Sequence, residues 1–150
     1  MKTKAVLVCC LCFLVVLLVT ITSVLSARSE IRLIERNWGV EIPYSVKELH
    51  IYNGSIGFTG DGQRFGIYSY AGENLDGVKF STENTQQAED FSEEFFSRLF
   101  PELSIEIPSK SILKWAMLNR GSDCAAFIVV GDMLFVLQDI FCLLYTSPSP

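Results

Sequence analysis

From Ala5 to Ala27 the chain runs without one charged residue, directly behind the basic tetrapeptide Met1-Lys2-Thr3-Lys4. At about 1.5 Å per helical residue, such a run reaches about 34 Å, enough to cross a hydrocarbon core of about 30 Å. It addresses the chain to a membrane and sets residues 1–27 apart from whatever folds after them. Two readings fit: a retained signal anchor or a cleaved signal peptide. Length favours the anchor, because a secretory apolar core usually has only about 7–15 residues. Val24-Leu25-Ser26 and Leu25-Ser26-Ala27 each put a small residue before a possible cut, which keeps secretion after cleavage open. Lys2, Lys4 and the terminal amine hold the first residues in the cytoplasm, so the remainder is expected outside it.

Cys9, Cys10 and Cys12 fall inside the apolar run, leaving Cys124 and Cys142 downstream. Cys142 to Pro150 breaks the strand-like pattern of Met133 to Phe141 and reads as a non-native or disordered tail, which excludes a Cys124–Cys142 disulfide. Residues 28–141 are then one extracytoplasmic domain, long enough for a single core. That interval carries ten Lys/Arg against seventeen Asp/Glu. An excess of negative charge argues against nucleic acid, whose binding rests on cationic clusters. One histidine, His50, and no Cys-x-x-Cys leave a metal or redox centre without ligands, so no metal and no cofactor is expected.

Ile31, Ile34, Glu35 and Trp38 keep helical spacing, and Gly39 followed by Pro43 stops that helix. A short helical turn from Tyr44 to Glu48 can follow. His50-Ile51-Tyr52 and Arg64 to Tyr70 read as strands on either side of the glycine-dense loop Gly54 to Gly62. The strongest helix runs from about Asn84 to Phe100, with Ala88, Phe91, Phe95 and Leu99 on one stripe and Pro101 behind it. Three further strands, Ile112 to Leu118, Cys124 to Val130 and Met133 to Phe141, are joined by polar turns; Gly131-Asp132 suits a type II′ hairpin. The expected class is α+β: an antiparallel sheet of about five strands with the helices packed on one face.

The loop Gly57 to Arg64 is the one local cluster that invites a binding role, through Phe58, Asp61 and Arg64. The competing reading is a hairpin connection whose glycines supply positive φ angles. It lacks the lysine and helix start of a phosphate loop and the alternating acids of a calcium loop. His50 sits in no nucleophile elbow and reads as structural. Glu89, Asp90, Glu93 and Glu94 lie opposite the phenylalanine stripe and read as a solvated face. Trp115 alternates with Leu113 and Met117, as sheet packing would.

Ile34 to Pro43, the Gly-Asp-Gly core of Gly57 to Gln63 and the closing Met133 to Phe141 together resemble small uncharacterised membrane-anchored or secreted proteins of Gram-positive, gut-type bacteria. More faintly, residues 31–54, with Gly39-Val-Glu-Ile-Pro43, Lys47-Glu48-Leu49 and Asn53-Gly54, are similar to the opening of the SMI1/KNR4 superfamily. That second resemblance implies an immunity protein that neutralises a toxin. The expected function is a non-enzymatic, membrane-tethered extracytoplasmic domain that binds an envelope or secreted protein, as an inhibitor or immunity factor would. The alternatives are a small extracytoplasmic enzyme using dispersed carboxylates such as Asp61 and Glu73, and a passive structural component of the envelope.

Overall fold

The computed structural model describes residues 11–19, 28–54 and 62–140. Residues 11–19 are helical (α1) and all nine are exposed, Leu11, Phe13 and Val16 by 61–70%. Among the described residues no helix is long and apolar enough to cross a membrane. The rest of the charge-free run, residues 5–10 and 20–27, lies outside the described residues, as do the expected tail and Phe141.

The following elements are α2 (Ser29–Trp38), β1 (Lys47–Asn53), β2 (Gly62–Ser69), α3 (Thr85–Leu99), a 3-10 turn (Ser109–Ser111), β3 (Ile112–Arg120), β4 (Asp123–Val130) and β5 (Met133–Ile140). All five strands form one antiparallel sheet in the order β1-β2-β5-β4-β3, so the α+β class and the five-stranded antiparallel sheet hold. Between β4 and β5 the turn is Gly131-Asp132. Gly131 takes φ 60° and Asp132 does not go positive, as a type II′ turn requires. Tyr44-Ser45 is a simple turn and strand β1 begins at Lys47, so the short helix expected at Tyr44 to Glu48 is replaced by the start of the sheet.

The helices do not share one face. Ile31 and Ile34 of α2 pack with Tyr68, Phe127, Val129, Leu134 and Val136 on one side of the sheet. Ala88, Phe95 and Phe96 of α3 pack with Phe65, Ile128, Phe135 and Leu137 on the other. The physical reason lies in β4 and β5, where Ala125 to Val129 and Leu134 to Leu137 are consecutive apolar and buried residues. Because neighbours along a strand point to opposite faces, such a run makes both faces hydrophobic, and each needs its own cover. The result is three layers, with α2 and α3 as the outer two.

Each outer layer is fastened locally. α2 ends at Gly39, whose φ of 66° and N–H bond to the Glu35 carbonyl (2.9 Å) form a left-handed cap. The Glu35 carboxylate accepts the Ile42 N–H at 2.9 Å, and Arg28 donates to the Ile42 carbonyl at 2.9 Å, turning the chain back under the helix. On the α3 side an aromatic cluster centres on Phe65. Its ring meets Phe96 edge-on at 4.9 Å and stacks on Tyr52 at 5.3 Å.

Candidate functional site

A groove of about 470 Å³ runs between α3 and the irregular segment that follows it, from Pro101 to Pro108. Local sequence makes it. Pro101 has no amide proton to continue α3, and the helix closes with Phe100 N–H donating to the Phe96 carbonyl at 2.9 Å. Beyond it Leu103 and Ile105 are half-buried and Ile107 is buried, while Ser104 and Glu106 are exposed. Burial thus alternates between the two prolines, but the backbone is turned rather than extended: Leu103 N–H donates to the Phe100 carbonyl and Ile105 N–H to the Leu103 carbonyl, both at 2.9 Å. Phe96 and Ile107 supply an apolar floor at 3% and 4% exposure.

The far end of the groove is tied down by Glu89. Its carboxylate accepts the Ser109 N–H at 3.0 Å, and the Ser109 hydroxyl donates to Gln86 at 3.4 Å. Hydrogen bonding from Ser109, its side chain first and then its N–H, holds the Glu89 carboxyl below its ordinary value of 4.5. Ser92 is buried beneath, its hydroxyl donating to the Glu89 carbonyl at 2.8 Å. Glu93 on α3 and Glu106 on the irregular segment also line the groove and are exposed. No Lys or Arg is among its lining residues.

A second polar cluster lies where β5 ends. Asp139 is 3% exposed; Arg98 of α3 pairs with its carboxylate at 2.5 Å, and Gln63 donates to it at 3.3 Å. Directly opposite in the sheet is Cys124, whose thiol is pushed up by burial and then by the charge of Asp139. The Arg98–Asp139 pair ties α3 to the end of β5. On the other face Gln138, also buried, accepts the Trp38 indole N–H at 2.8 Å.

Of the residues singled out in the sequence, Phe58 and Asp61 lie outside the described residues. Arg64 is in β2, as the strand reading of Arg64 to Tyr70 has it, with an 11%-exposed side chain 3.2 Å from Glu30 of α2. His50 is exposed on β1. Trp115 is buried among the α3-side residues, its indole donating to the Glu83 carbonyl at 2.7 Å. Glu73 accepts the Ala71 N–H at 2.8 Å, and the Ser45 hydroxyl, first among its partners, draws its carboxyl below the ordinary value. The acidic side of α3 is divided: Asp90, Glu93 and Glu94 are exposed, whereas Glu89 is engaged with Ser109. Among the described residues no group of three or more His, Cys, Asp or Glu is placed to hold a metal ion.

Sequence reasoning passed over the segment Leu103 to Pro108, although its signal was present in the alternation of Leu103, Ile105 and Ile107 between two prolines. Comparison with known proteins finds no matching family model, no matching curated protein and no matching solved structure.

Proposed function

We propose that the chain is a membrane-tethered extracytoplasmic domain that binds an envelope or secreted protein, in the manner of an inhibitor or immunity factor, without chemistry of its own. The observation that carries this reading is the groove beside α3, which joins an apolar floor to an acidic rim, the usual build of a recognition surface. The tether is supported by α1. Its residues 11–19 are apolar and exposed all round, save for Cys12 a run of Leu, Phe and Val, and a helix of that kind belongs in a lipid or protein interior.

Site-specific photo-cross-linking of the full chain in its host envelope tests the binding reading. A cross-linking side chain at Ser104, in the groove, should yield a discrete protein adduct that the same group at exposed Lys79 does not. Absence of an adduct from Ser104 in folded protein would overturn it. For the tether, the chain should resist carbonate extraction and be digested by protease added outside intact cells. Recovery in the soluble cytoplasmic fraction would remove the membrane assignment.

A further inference from the structure

We propose that the face made by the start of α2 and the loop between α2 and β1 seats the domain on the bilayer that holds its apolar run, with Tyr44 entering the boundary between headgroups and acyl chains. The proposal rests on the tether reading and gives the tether a fixed point of contact.

The start of α2 marks where the chain leaves the apolar run. Arg28 is the first charged residue after Ala27, and its carbonyl accepts the Arg32 N–H at 3.0 Å as the helix begins. A guanidinium is costly in a hydrocarbon core, so with the run in a bilayer Arg28 stands at headgroup level. Its side chain is fastened to the α2–β1 loop. Nη2 donates to the Ile42 carbonyl at 2.9 Å, and the guanidinium carbon lies 4.0 Å from the centre of the Tyr44 ring. Tyr44 is thereby held at the depth of Arg28.

The loop presents this ring instead of packing it. Ile42 and Val46 are buried on either side, and Val46 N–H closes a turn on the Pro43 carbonyl at 3.1 Å. Tyr44, between those anchors, is 84% exposed, more than any other large hydrophobic side chain among the described residues. A ring with a polar hydroxyl at its tip suits a membrane–water interface, where the ring leaves water and the hydroxyl keeps polar partners. Charge agrees with that setting. Arg28, and exposed Arg32 one helical turn on, make no ion pair among the described residues. Of the acids beside them, Glu30 is paired with Arg64 at 3.2 Å, and Glu73 accepts the Ser45 hydroxyl and the Ala71 N–H. Two uncommitted guanidinium groups next to an exposed tyrosine complement the phosphates of phospholipid headgroups.

The test uses the full chain reconstituted in phosphatidylcholine vesicles, with the acyl chains brominated near their ester ends in one set and unbrominated in the other. A fluorescent probe is introduced by Tyr44→Trp or by Ser122→Trp. Ser122 is exposed in the β3–β4 turn at the opposite edge of the sheet, four strand spacings or about 19 Å across from β1. Emission is read against the unsubstituted chain, whose Trp38 and Trp115 supply the background. In brominated vesicles the Tyr44→Trp probe should lose most of its added emission, and the Ser122→Trp probe should lose none. An unquenched Tyr44→Trp probe, in chain that carbonate does not extract, would overturn the seat and leave the tether standing. Equal quenching of the two probes would also overturn it, because the domain would then meet the bilayer without a preferred face. Release of the chain by carbonate would remove the tether, and the seat with it.

Discussion

At Gly66 of β2, a methyl group would have to occupy space already held by Tyr68. An added Cβ comes within 2.5–2.7 Å of the Tyr68 hydroxyl oxygen and ring carbons. Two residues apart on one strand, both positions point to the α2 face, and the buried Tyr68 ring lies back over the glycine. Gly66→Ala is therefore expected to cost about 1–3 kcal/mol through overpacking, read as a lower urea midpoint. Glu89 makes a prediction in pH. Because its bonds to Ser109 depress the carboxyl below 4.5, their contribution is complete above that value and is lost as pH falls through the lower folded value. The Ser109 amide resonance should shift in that acidic window and stay constant in Glu89→Gln. Sequence reasoning assigned Glu89 to a solvated face because periodicity reports which side of a helix is polar. It does not report what a later loop will bring to that side. Arg64 shows the same limit: the pattern places it at the start of a strand, but its burial beside Glu30 depends on where α2 lands.

The elements themselves were more legible than their mutual placement. Repeating patterns located both α2 and α3 and all five strands, since each pattern is written within a dozen residues. The stripe on α3 is turned slightly: Ala88, Ser92, Phe95 and Phe96 are buried, while Phe91 and Leu99 are only partly so. Ser92 escapes a hydropathy reading because its hydroxyl is satisfied by its own helix. In β3 the expected alternation of Leu113 with Trp115 and Met117 fails at a bulge, where register shifts between Ile112 and Lys114 and Leu113 is 59% exposed. An equivalent shift between Glu48 and His50 leaves Leu49 of β1 48% exposed. Both bulges sit in edge strands, where such irregularities blunt pairing with other chains. Leu113→Lys should consequently change stability by no more than about 0.5 kcal/mol, whereas Phe95→Ala, in the packed interior, should cost about 3–5 kcal/mol. Parallel urea titrations of the two variants check the contrast.

For the molecule as a whole, layering was the feature that pattern alone misjudged. Strands β4 and β5 contain the apolar runs Cys124 to Val130 and Met133 to Leu137, the signature of a sheet covered twice, yet antiparallel sheets often expose one face and so invite a single cover. The three-layer arrangement predicts graded hydrogen exchange. Amides of β5 and its neighbours β2 and β4 should exchange only with global unfolding, and outward amides of β1 and β3 much sooner. A uniform exchange profile across the sheet would contradict the strand order.

That order also governs when the domain can exist. In the course of synthesis β5 emerges after the other four strands, yet it lies between the β1–β2 hairpin and the β3–β4 hairpin and is hydrogen-bonded to a strand of each. Until it arrives, the earlier strands form two halves with no shared centre, and an isolated hairpin is marginally stable at best. A polypeptide made at about 5–20 residues per second thus stays pliable until its interior strand is delivered. Late closure of this kind keeps a chain threadable through a narrow channel, the state that export across a membrane demands.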